Sequence, residues 1–145
     1  MKRYPKLEMK EGNVIAVIDT NVLVSGLLAR NEDSSVVKVF CALLNGSITP
    51  LINEEIILEY EDVLHRPKLK LPVALVDAII YQIKNDGIYA EKYISNEIFN
   101  DPKDLVFYEI ALSRPGSYLV TGNLKHFPAK SFVVSPAEML RILDE

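Results

Sequence analysis

Residues 14–18 read VIAVI, and the run ends on Asp19. Four of these five apolar residues are β-branched. So short and continuous a run fits a strand buried on both faces, as in a parallel sheet. A carboxylate at the centre of such a strand would be strongly disfavoured by desolvation. Asp19 therefore marks where the strand emerges. In open α/β sheets, ligands gather outside the carboxyl ends of the strands, near the point where strand order reverses. One junction thus argues for a sheet type and for a candidate site.

The rest of the chain alternates between the two periodicities. A helix can open over Asn21–Leu28. Asp33-Ser34-Ser35 is a cap signal for a helix to about Leu44, closed by Asn45-Gly46. Ile48–Leu51 reads as a strand. Asn53 can cap a helix from Glu54 to about His65, which must stop before Pro67. Pro72 suits the first turn of a helix that ends at Asp86-Gly87. Ile88–Ile94 is ambiguous between strand and loop, and 96–100 reads as loop. Asp101-Pro102 starts a helix to about Ser113. YLVT (118–121) and FVV (132–134) read as buried strands, and Ser135-Pro136 opens a last helix. Alternating strands and helices predict an α/β fold with a parallel sheet and right-handed crossovers. The 145 residues suit one domain, read here as residues 13–145 behind a polar leader over residues 1–12.

Composition narrows the classes of function. The chain carries 20 acidic and 16 basic side chains, for a net charge of −4. Bulk charge would not draw it to nucleic acid, so such a role needs a local basic surface or bound cations. No apolar run reaches the ~20 residues of a membrane span, and the first residues lack a signal-peptide core. The single cysteine, Cys41, excludes an intrachain disulfide; it fits a cytoplasmic protein and reads as a small buried residue. No G-x-G-x-x-G follows the first strand, which argues against a dinucleotide enzyme.

The candidate chemistry is acidic. Besides Asp19 there are Asp101 and Asp104 in DPKD, and the segment NEEIILEYED over 53–62. Carboxylates converging on one crevice repel unless a cation joins them, and Mg²⁺ or Mn²⁺ suits such oxygen ligands. Asp101 is also a good N-cap, and Asp104 then falls at N3, where the helix dipole favours an acid. On the helix after Asn53, Ile56, Ile57, Tyr60, Val63 and Leu64 form the apolar stripe. Glu59 and Glu61 flank it on opposite edges, and periodicity does not choose between them. In TGNLKHF (121–127), Asn123 can offer a carbonyl to a metal or simply make a turn. His126 reads as a solvated loop residue and His65 as a helix-end residue. A phosphotransferase with Asp19 as nucleophile would want a second Asp two positions on, where Asn21 stands.

The order of these motifs resembles PIN-domain nucleases: Asp19-Thr20-Asn21 after strand one, Glu59 in ILEYEDVLHRPK, Asp104 with Ala111, and Thr121-Gly122-Asn123 with Phe127. The likeness covers roughly residues 13–140 and is nearest to the toxins of toxin–antitoxin pairs. It implies a five-stranded parallel sheet flanked by helices and a metal-dependent endoribonuclease acting on RNA. It implies Mg²⁺ or Mn²⁺ held by Asp19, Glu59 and Asp104, and so selects Glu59 over Glu61. Thr20, Asn21, Thr121 and Asn123 become supporting residues, and Arg66, Lys68 and Lys125 candidate phosphate contacts, with Lys70 and Lys130 behind them. An antitoxin protein and a second copy of the chain are the expected partners, the apolar stretch 73–80 supplying part of a homodimer interface. Many members carry Asp where this chain has Asn123. The competing reading is therefore a PIN scaffold without turnover that binds RNA or protein.

Overall fold

The strand that ends on Asp19 lies at the centre of a five-stranded sheet. The computed structural model describes residues 13–145; the expected leader, residues 1–12, lies outside the described residues. Strands β1 (Val14–Ile18), β2 (Ile48–Ile52), β3 (Ile88–Tyr89), β4 (Tyr118–Val120) and β5 (Val133–Val134) lie in the order β3-β2-β1-β4-β5. Every pairing is parallel. From β1 the chain builds outward to β2 and β3, then returns to add β4 and β5 on the other side. The switch point therefore falls between β1 and β4. Ala16, Val17, Ile18, Leu119 and Val120 are buried there, as continuous apolar strands require.

Helices α1 (Thr20–Leu28), α2 (Ser35–Asn45), α3 (Glu54–Leu64), α4 (Val73–Asp86), α5 (Pro102–Leu112) and α6 (Pro136–Leu143) flank the sheet. One group joins α2 to α1 and α6; the other joins α3 to α4 and α5. Local chemistry sets their ends. Ser34 accepts from the Val37 N–H, and Gly46, at φ 91°, closes α2 in the left-handed region. Asn53 accepts from the Ile56 N–H at 2.9 Å. Asp101 accepts from the Lys103 N–H at 2.9 Å, so it is the expected cap. Ser135 and Glu138 complete a capping box. These caps matter to the site because α1, α3 and α5 all begin at the carboxyl edge of the sheet. Their N-terminal dipoles favour anions there.

Some expectations shift. Pro72 is the N-cap of α4 rather than a residue of its first turn. Gly87 ends α4 with φ −80°, so it is needed for space: a Cβ there would meet Ile52 Cδ1 at 2.6 Å and Ile83 O at 2.7 Å. The ambiguous stretch resolves into the two-residue edge strand β3, followed by irregular chain to Asn100. Cys41 is exposed rather than buried, because α2 turns Val39, Ala42 and Leu43 inward. On α4 the stripe Val76, Ile79, Ile80 and Ile83 belongs to the core. The outer face keeps Val73, Leu75 and Tyr81 exposed. Among the described residues no helix is long and apolar enough to cross a membrane.

Candidate active site at the switch point

Asp19 leaves β1 and caps α1, and it is buried. Its N–H donates to the carbonyl of Val120 at the end of β4, at 2.9 Å, which ties together the two strand ends at the switch point. Its side chain accepts a 2.7 Å hydrogen bond from the Thr121 hydroxyl. That same hydroxyl oxygen accepts the Asn123 N–H at 2.9 Å. Thr121, itself fully buried, thus fastens the Thr-Gly-Asn loop to the aspartate. Burial pushes the Asp19 pKa up. Thr121, the helix-start amides of Asn21 and Thr20, and the charge of His126 oppose the rise. No hydrogen bond of capping geometry forms from the Asp19 side chain to α1, so the amides act there by proximity.

Asp104 occupies the first turn of α5. Its pKa is raised to about 6, by burial first and then by the charges of Asp19 and Asp101, with His126 pulling the other way. The His126 ring Nδ1 stands 3.5 Å from Asp104 Oδ2. Asp19 and Asp104 therefore form one electrostatically coupled pair, which can relax by taking up protons or a cation.

Glu59 lies on the side of α3 turned toward α5, where its Oε1 is 3.7 Å from the Lys103 ammonium. It lines a small cavity with Val106 and Phe107. Among the described residues no three Asp, Glu, His or Cys side chains gather closely enough to form a ready metal cage. The charged partner of Glu59 is Lys103. The donor set still fits a hard divalent cation, since Mg²⁺ typically takes one or two carboxylates and fills the remaining positions with water. One further feature fits. Thr20 Oγ1 is buried next to Asp19 and has no hydrogen-bond partner among the described residues. Buried hydroxyls are seldom left so, and a hydrated ion can satisfy one.

A family model described as PIN domain matches residues 15–125, three quarters of the chain. The chain belongs to the PIN-domain family. PIN domains are typically nucleases that use divalent metals, so nuclease-type chemistry is the general expectation for this chain. No curated protein matches the sequence closely enough to refine that statement.

The PIN-domain arrangement brings some candidates together and leaves others apart. Asp19, Thr121 and Asn123 are joined by hydrogen bonds at the switch point, Thr20 follows Asp19 in the chain, Asp104 is near enough to feel the Asp19 charge, and Asn21 is exposed at the start of α1. Asn123 is half-buried and opens the short 3-10 turn Leu124–His126. Lys125 sits in that turn and lines the cavity beside Asp104. Arg66 and Lys68 do not reach this edge. α3 begins at the carboxyl end of β2 and runs about 16 Å at 1.5 Å per residue, so both residues emerge at its far end. There Arg66 pairs with Asp62 at 2.9 Å. Tyr60 and His126 adjoin these residues, and Glu109 lies further along α5. Tyr60, part of the apolar stripe, donates its hydroxyl to the carbonyl of Ile18, bracing β1 immediately before Asp19. A tyrosine in a buried stripe needs such a partner, which is the one signal the sequence carried. His126 faces Asp104, and Glu109 is a buried carboxylate on α5 that accepts from the Ser95 N–H at 2.7 Å.

Proposed function

We propose that this PIN domain is a metal-dependent endoribonuclease of the toxin type, working in the cytoplasm. The observation that carries the reading is the pair of buried or part-buried carboxylates, Asp19 on the tether from Thr121 and Asp104 raised by burial and by the Asp19 charge, with the Thr20 hydroxyl, unpartnered among the described residues, next to Asp19. Asp19 and Asp104 would hold Mg²⁺ or Mn²⁺. Bound there, such a cation supplies Lewis-acid chemistry at a phosphodiester, polarising the phosphoryl oxygen and acidifying water.

The chain's own residues do the rest. Thr121 orients the Asp19 carboxylate through its 2.7 Å hydrogen bond. The N-termini of α1 and α5 favour anions, so they steady the ionised carboxylates and a bound phosphate alike. Glu59 would be the third acid, with the exposed Lys103 ammonium 3.7 Å from its carboxylate. Lys125 offers a phosphate contact at the mouth of the site. A homodimer pairing through the outer face of α4 would use exposed Val73, Leu75 and Tyr81, and an antitoxin protein is the expected inhibitor.

The test is cleavage of mixed RNA with Mg²⁺, with Mn²⁺ and with EDTA, beside the same assay on DNA. Cleavage by wild type with either metal, lost in Asp19→Asn, supports the reading; cleavage persisting in EDTA overturns it. A second reading, a binding module without turnover, is favoured by one observation: Asn123 puts a neutral side chain where many PIN domains have an acid. Tight RNA binding with no cleavage under any metal would select it.

A further inference from the structure

A cavity of about 340 Å³ opens beside Asp104, between the irregular chain that follows β3 and the loop that follows β4. Its lining joins the apolar side chains Ile98, Phe99 and Phe127 to the acids Glu97, Asp101 and Asp104, with Lys125 and His126 on the side of the loop. Two of these form a fixed apolar floor: the rings of Phe99 and Phe127 meet edge to face at 5.8 Å, and Phe99 also packs on Tyr108 at 5.4 Å. Ile98 does the opposite. It is 96% exposed, the most exposed large apolar side chain among the described residues. Its position is nevertheless set. Buried Glu109 accepts from the Ser95 N–H at 2.7 Å, its backbone carbonyl accepts from the Tyr93 N–H at 3.2 Å, and Phe99 is anchored on the other side. An isoleucine held in water between two anchors is an apolar surface awaiting something flat.

The geometry points to this cleft as the seat of one unpaired nucleotide next to the scissile phosphate, with its base laid against Ile98 and the Phe99 edge and its phosphate toward Lys125. The inference rests on the nuclease reading and extends it from the reacting phosphate to the neighbouring base. A base is the part of a nucleic acid that offers an apolar face, and a single strand is the form that exposes it. A base stacked in a duplex could not reach Ile98 in this way, so the cleft selects single-stranded or looped substrate. Contact through an apolar side chain reads the face of the base and not its edge. Preference among the four bases should therefore be weak.

The test is fluorescence anisotropy of a labelled ten-nucleotide single-stranded RNA on the intact protein, with Ca²⁺ in place of Mg²⁺. The variants are Ile98→Asp and Ile98→Phe, at a position too exposed for either to disturb folding. The proposal expects Ile98→Asp to weaken binding about tenfold or more and Ile98→Phe to tighten it several-fold. Mn²⁺ affinity, measured separately by calorimetry, should be unchanged in both. A hairpin with the same strand closed in its stem should bind more weakly and respond to neither variant. If wild type binds the strand and neither variant shifts it, the subsite is wrong while the nuclease reading stands. If instead the variants change self-association by light scattering and leave RNA binding alone, Ile98 belongs to a protein interface and the proposal is overturned. If wild type binds no RNA, both readings fall together.

Discussion

The Thr121 hydroxyl donates to Asp19 Oδ2 at 2.7 Å across 102 residues of sequence. One side chain thereby joins the ends of two adjacent parallel strands and sets the orientation of the carboxylate between them. Because the hydroxyl proton is committed to Asp19, Thr121 is a positioning residue rather than a donor to phosphate or to metal-bound water. Replacing it by valine keeps the shape and removes the bond. Thr121→Val should then lower stability by about 1–3 kcal/mol, the range for stranding a buried polar partner. It should also push the Asp19 pKa higher still and weaken Mn²⁺ binding. Urea titration at pH 7 and calorimetry measure the two effects. An unchanged midpoint would show that Asp19 finds another donor.

Asp104 gives the sign of a pH effect. Its pKa is about 6 in the fold against an ordinary 3.8, so the fold holds its proton more tightly than the unfolded chain does. The stability this group contributes is present in acid and is lost as pH rises from about 3.8 through 6. Without metal, Asp104→Asn should melt above wild type at pH 7.5, and the difference should shrink toward pH 4. With Mn²⁺ the order should reverse, since the variant lacks the ligand. A thermal scan of both proteins at the two pH values, with metal and with EDTA, checks all four cases.

The same carboxylate should govern metal uptake. A cation needs Asp104 ionised, and one competing proton lowers apparent affinity by about tenfold per pH unit once pH falls below about 6. Titrating Mn²⁺ at pH 5, 6, 7 and 8 should show a steep rise that flattens above 7. A flat profile from 5 to 8 would mean that Asp104 takes no part.

How much of this was legible in the sequence depends on the range of the interaction. Asp19 was legible because five apolar residues precede it, and a buried strand can end on a carboxylate where it could not contain one. Asp101 was legible as a cap, since its partner is the Lys103 amide two residues away. The Asp19–Thr121 bond had no local signal, because it depends on β1 and β4 being neighbours. Glu109 was missed for the same reason: its acceptor role is to Ser95, on chain that has no regular structure to predict. Arg66 and Lys68 were candidate phosphate contacts from their charge alone. The length of α3 carries them to the other end of the sheet. Choosing Glu59 rather than Glu61 needed the resemblance, and the fold turns Glu59 toward α5 and Lys103.

Away from the site, His65 links the end of α3 to α4. Its ring accepts or donates at two places, Nδ1 to the Glu61 carbonyl at 2.7 Å and Nε2 to Asp77 at 2.8 Å. The Glu61 carbonyl and then Asp77 raise its pKa above the ordinary 6.5. For a raised histidine, the stabilising contribution is fully present below 6.5 and lost as pH climbs through the folded value. The melting temperature of wild type should therefore exceed that of His65→Gln at pH 5.5 and approach it by pH 8.5. A constant gap would assign the residue to packing alone.

Asn123 is the position at which the proposed activity is most directly tested. Its N–H donates to the Thr121 hydroxyl, which donates to Asp19, so the residue is tied to the Asp19 carboxylate through two hydrogen bonds. Asn123→Asp adds one negative charge to this edge and leaves the shape almost unchanged. Attraction between unit charges ~4 Å apart is about 4 kcal/mol at an effective dielectric near 20, from which desolvation and repulsion by Asp19 and Asp104 must be subtracted. A net gain of even about 1.4 kcal/mol tightens metal binding tenfold. Without metal the extra carboxylate joins two that already sit above their ordinary pKa, so it should lower stability. The expected result is a pair of opposite shifts: tighter Mn²⁺ by calorimetry, and a lower melting temperature in EDTA that metal restores. If the charge raises affinity and cleavage together, the neutral residue is what restrains this PIN domain. If affinity rises with no cleavage at all, the missing step lies elsewhere and the binding-module reading gains.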